Sequence, residues 1–121
     1  MDIEFLTVRT KDLAASVAFW ERVLGFKVER RFSPRPGMEI AFLVDGSGGR
    51  VEFIQEEGKP AFSGSGVSVG FRVPDAAAAA ASLAAQGVEL VYGPIAMQSG
   101  VKLLGARDPN GLELGFVEEA R

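Results

Sequence analysis

Residues 2–9, Asp-Ile-Glu-Phe-Leu-Thr-Val-Arg, alternate in a way that suits a strand, with Ile3, Phe5 and Thr7 on one face and Leu6 and Val8 on the other. The period then lengthens. Leu13, Val17, Trp20 and Leu24 recur at helical spacing, Phe19 and Val23 widen the stripe, and Asp12 stands where a helix cap belongs. Gly25 supplies the stop. Period-two patterning resumes over Phe26–Phe32, turns through Ser33-Pro34-Arg35-Pro36-Gly37, and continues as a hairpin of Met38–Val44 and Arg50–Gln55 around a glycine-rich loop. The first half therefore reads β-α-β-β-β.

The second half repeats that order. Val67–Val73 predicts a strand, Asp75 a cap and Ala76–Gln86 a helix, whose six consecutive alanines give high propensity and little volume to bury. Strands over Val88–Val91, Val101–Ala106 and Leu112–Val117 follow, the last two joined by the turn Asp108-Pro109-Asn110-Gly111. Asp12 and Asp75 lie 63 positions apart, and Gly25 and Gly87 lie 62 apart. Such self-similarity marks a duplicated unit. The expected class is α+β: one domain over 1–121, with module one at 1–58, a polar Gly/Ser linker at 59–66 and module two at 67–121.

Composition narrows the chemistry more than any motif does. The 121 residues include no cysteine and no histidine, which removes thiolate nucleophiles, disulfides, the commonest general base and the commonest transition-metal ligand. A metal site would have to be all-oxygen. A net charge of −3 without a basic stripe argues against a nucleic-acid partner, and no apolar run reaches the ~18 residues of a membrane span. Acidic residues at the N-terminus in place of a basic flank make the cytoplasm the expected location.

Asp12-Leu13 with Ser16, Phe19-Trp20, Val23-Leu24-Gly25-Phe26, Phe71-Arg72-Val73-Pro74-Asp75, Gly87-Val88 and Asp108-Pro109-Asn110-Gly111 occur in an order and spacing that resemble the vicinal oxygen chelate superfamily, the glyoxalase/bleomycin-resistance group. The resemblance implies paired βαβββ modules whose curled mixed sheet forms a cup, and a homodimer. In metal-using members four side chains enter the cup, and the matching positions here are Phe5, Glu52, Ser68 and Gly115. Only Glu52 is a competent ligand, although Glu113 shares the strand parity of Gly115 and a two-residue slip would restore a second carboxylate. A divalent cation needs several oxygen donors in fixed geometry, so no metal or other cofactor is expected.

Glu52 becomes the candidate catalytic residue, suited to act as a general base or to bind a cationic group, with an ion pair to an arginine such as Arg50 as the plain alternative. Phe5, Thr7, Glu52, Ser68, Met97 and Gly115 are the candidate ligand-binding set. Phe5 would offer a stacking face, Thr7 and Ser68 single hydrogen bonds, and Gly115 room for a bulky ligand. Met97 lies in Gly93–Gly100, read as a lid or a connection. Trp20 is assigned to the core, and Arg35 to a loop where it could clamp an anion. Two functions remain open: a metal-free protein that sequesters an antibiotic or an aromatic or cationic metabolite, or a metal-dependent lyase, epimerase or dioxygenase of the lactoylglutathione-lyase type.

Overall fold

The computed structural model describes residues 1–121 and divides into two compact units, Met1–Ser63 and Gly64–Arg121. The first contains β1 (Leu6–Arg9), α1 (Leu13–Arg22), β2 (Lys27–Arg35), β3 (Met38–Val44) and β4 (Arg50–Glu56). The second contains β5 (Ser68–Arg72), α2 (Ala76–Ala85), β6 (Tyr92–Ala96), β7 (Lys102–Arg107) and β8 (Glu113–Glu118). Each unit holds one open, four-stranded mixed sheet, ordered β1-β4-β3-β2 and β5-β8-β7-β6, with a parallel pair at one side and antiparallel pairs beyond it. The α+β class and the duplicated βαβββ order follow the pattern of the sequence.

The repeat reaches down to individual hydrogen bonds. Asp12 Oδ1 accepts from the Ala15 amide at 3.0 Å, and Asp75 Oδ1 accepts from the Ala78 amide at the same distance. A second acceptor arrives from the last strand of each unit. The Leu13 amide donates to Gln55 Oε1 and the Ala76 amide to Glu118 Oε1, both at 2.7 Å. Gln55 and Glu118 are again 63 residues apart, so each helix start is tied to its sheet by the same two-acceptor device.

The packing beneath the helices is not equal. Helix α1 buries Leu13, Val17 and Trp20. The indole meets Phe26 and Phe53 edge-on, with ring centroids 5.0 and 5.3 Å away. Val8, Ala41, Leu43, Val51 and Phe53 are also buried, by strand alternation. Helix α2 buries only Ala76 and Leu83.

Several boundaries differ from the sequence reading. The first strand begins at Leu6, which leaves Ile3 93% exposed outside it. Strand β2 runs on to Arg35, because the Ser33 hydroxyl bridges the hairpin end by donating to the Arg35 and Met38 carbonyls. Val88–Val91 is not a strand. The Val88 amide instead closes the end of α2 on the Leu83 carbonyl, and pairing with β7 begins around Val91 and Tyr92. The first half of the expected lid is therefore edge strand β6, and Met97–Gly100 is the turn that leads into β7.

Candidate functional site

One face of the first sheet lies against α1. The opposite face carries a row of four residues on neighbouring strands: Thr7 pairs with Glu52, Glu52 with Phe42, and Phe42 with Arg30. Side chains in one row of a sheet project to the same side. The Thr7 hydroxyl donates to Glu52 Oε1 at 2.6 Å, so Glu52 already holds one hydrogen bond from its neighbour. The predicted alternative of a Glu52–Arg50 ion pair does not form. Arg50 is instead clamped by Glu4 at 2.8 Å and Glu29 at 3.0 Å. Glu29, then Glu4, holds the Arg50 guanidinium charged, above its ordinary range.

Aromatic rings surround the row. Phe5 stands edge-on to Phe42 at 5.3 Å, and Phe32 is nearly parallel to Phe42 at 6.5 Å. The Arg30 guanidinium lies 4.6 Å from the Phe32 centroid and 5.8 Å from that of Phe42. A pocket of about 240 Å³ opens here, lined by Glu4, Phe5, Glu29, Arg30, Phe42 and Arg50. The Arg50 Nε is a buried donor with no hydrogen-bond partner.

The second unit answers this row with glycine. Gly70 pairs with Gly115, Gly115 with Gly105, and Gly105 with Tyr92. A Cβ at Gly105 would collide with the Tyr92 ring, and one at Gly115 would sit 3.5 Å from its hydroxyl. The space expected over Gly115 for a bulky ligand is thus shared with Tyr92, which reaches in from the edge strand. This register also fixes the repeat: Gly115 stands where the first unit has Glu52, and Glu113, opposite Ser68, stands where it has Arg50. Glu113 thus lies two residues before the position that corresponds to Glu52.

The remaining candidates are dispersed. Ser68 is exposed at the start of β5, and Met97 is 48% exposed in the turn after β6. Arg35 is no free anion clamp, for it pairs with Glu56, which also accepts from Arg9 Nη1 at 2.9 Å. Arg35, then Arg9, holds the Glu56 carboxyl below the ordinary carboxylate range. A larger concavity of about 400 Å³ in the second unit is walled by Lys102, Glu118 and Arg121, but Glu118 is already committed to the α2 cap and to Lys102.

The sequence matches the Glyoxalase/Bleomycin resistance protein/Dioxygenase superfamily over residues 2–116. The chain belongs to this superfamily. Among solved structures, a glyoxalase family protein from Bacillus cereus is similar at 20% identity and a TM-score of 0.82, with 98% of this chain and 94% of that one covered. A glyoxalase family protein from Enterococcus faecalis gives 24% identity, 97% of each chain and a TM-score of 0.80. The E144Q mutant of glyoxalase I from Zea mays gives 20% and 0.82, and there 98% of this chain spans only 45% of the other. At these identities the likeness carries the fold. No curated protein matches the sequence.

Superfamily membership raises the question of a divalent metal. Phe5 and Gly115 bring no donor, Ser68 brings a neutral hydroxyl, and Glu52 is hydrogen-bonded to Thr7. No group of three or more acidic side chains gathers as a metal site would require. The residues present do not fit the metal. No helix is long and apolar enough to cross a membrane.

Sequence reasoning missed Phe32, Phe42, Arg30 and Tyr92. Phe42 was within reach, since strand alternation places it on the side of β3 opposite Ala41 and Leu43. Arg30 and Tyr92 were not, because irregularities in β2 and β6 change which way those strands aim their side chains.

Proposed function

We propose that this superfamily member is a metal-independent small-molecule-binding protein that holds a flat, partly apolar molecule on the open face of the first sheet. The observation that carries the reading is the aromatic group Phe5, Phe32 and Phe42, left beside a pocket on a sheet face instead of being packed beneath a helix. Phe5 keeps 39% of its surface exposed. Aromatic walls with a few convergent polar groups are the ordinary makeup of a ligand site. Glu4, Glu29, Arg30 and Arg50 supply polar groups at the pocket, and Thr7 and Glu52 continue the row beside Phe42. A binder is favoured over a lyase, epimerase or dioxygenase because the donor set at the family's metal positions holds one carboxylate.

Thermal-shift screening of planar aromatic compounds tests the reading, since a ligand bound only by the folded state raises Tm. Stabilisation by members of the panel that Phe42→Ala removes is the expected result. Stoichiometric Mn, Fe, Ni or Zn in protein purified without chelator would overturn metal independence. A homodimer and a cytoplasmic location belong to the same proposal, and sedimentation velocity of the purified chain checks the first.

A further inference from the structure

The arginines of the first sheet are not equivalent. Arg9 and Arg35 share Glu56, Arg31 pairs with Glu39, and Arg50 holds Glu4 and Glu29. Arg30 has no carboxylate partner. It is directed by a register irregularity: Val28 pairs with Leu43 and Arg30 with Phe42, so Glu29 is an extra residue in the strand. Such a bulge re-aims side chains and is frequent beside binding sites. Here it brings Glu29 and Arg30 to the same pocket wall.

The Arg30 guanidinium carbon lies over the Phe32 ring and near that of Phe42, and no hydrogen bond or ion pair engages its N–H groups. Those groups form a planar fork that matches a carboxylate with two parallel hydrogen bonds. Glu4, Glu29 and Arg50 together carry one net negative charge, which Arg30 balances. Recognition would therefore come from the geometry of the fork and not from an excess of positive charge, and a second anionic group would meet Glu4 and Glu29.

We propose that Arg30 is the anion receptor of this pocket and that the ligand class is a flat aromatic monocarboxylate, its ring against Phe5 and Phe42 and its carboxylate on the Arg30 fork. The inference rests on the binding reading above and gives it a substrate class. It replaces the cationic ligand that Glu52 suggested from sequence, because the unpaired charge at this pocket is a guanidinium.

The test compares 2-naphthoate with its neutral isostere 2-naphthamide by isothermal titration, on the whole chain and on Arg30→Met and Arg30→Lys. Arg30 is exposed, so both variants should fold, and a melting curve verifies it. Naphthoate should bind the native chain about tenfold or more tightly than naphthamide, as expected of a charge-assisted pair. Arg30→Met should bring the two together by weakening naphthoate alone, and Arg30→Lys should restore only part of the difference. Equal binding of the two probes, unchanged by Arg30→Met, would overturn the anion receptor while leaving an aromatic-binding protein. Binding of neither probe would overturn both readings.

Discussion

Thr7, Glu52, Phe42 and Arg30 cross the first sheet on four neighbouring strands, whereas Gly70, Gly115, Gly105 and Tyr92 cross the second. The first three positions correspond at an offset of 63 residues, and the fourth is displaced by one where both edge strands are irregular. The register at those three positions and the N-terminal helix caps are the same in both units. What differs is everything that could touch a ligand. The first row offers a hydroxyl, a carboxylate, a ring and a guanidinium. The second offers bare backbone with one phenol laid across it. The duplicated backbone thus keeps its strand pairing and N-terminal caps while the side chains of the opposite sheet face differ.

Substitutions can press on that contrast, and the deepest difference lies under the helices. Trp20→Ala should cost about 3–5 kcal/mol, since it empties the centre of an aromatic cluster, while Leu83→Ala under α2 should cost about 2–3 kcal/mol. Urea denaturation of both variants measures the pair, and equal losses would show that the two helices are anchored alike. Next come the glycines. Gly105→Val must displace the Tyr92 ring and should lose about 1–3 kcal/mol, whereas Gly70→Val meets open space and should stay within about 0.5 kcal/mol of the native chain. Thermal melts separate these outcomes. The shared caps should respond equally, with Asp12→Ala and Asp75→Ala each losing about 1 kcal/mol.

The smallest expected effect belongs to the ion pairs of Glu56, which lie in the first unit. The folded pKa of Glu56 lies below the ordinary value of about 4.3. Its contribution is therefore complete above that value and is lost as pH falls through the depressed one. Melting curves from pH 6 down to pH 3 should show a drop that Glu56→Gln makes shallower. An unchanged slope would mean that Arg35 and Arg9 add nothing there.

The duplication was legible because its signals are local. Asp12 and Asp75 cap helices wherever a short polar acceptor precedes one, and Gly25 and Gly87 stop them with positive φ. Alternation likewise separated Val51 and Phe53 from Glu52. The candidate site was less legible, because its composition depends on which strands neighbour one another. The hairpin expected over Met38–Val44 and Arg50–Gln55 already implied the Phe42–Glu52 pair, but nothing in the linear pattern lays Tyr92 over Gly105. Register irregularities hid the rest. An extra residue at Glu29 moves Arg30 onto the face opposite α1, and an unequal count between Tyr92 and Ile95 shifts β6 against β7. Val88 and Val91 misled for a simpler reason, as β-branched residues read as strand even where their amides finish a helix or open a pairing.

The chain has one tyrosine and nine phenylalanines, so aromatic side-chain NMR distinguishes the two open faces within a single titration. With 2-naphthoate added to selectively labelled protein, the ring signals of Phe5, Phe32 and Phe42 should shift together and saturate, while that of Tyr92 stays in place. A saturable shift of Tyr92 with those three phenylalanines unmoved would contradict the account and assign the ligand to the glycine-lined face.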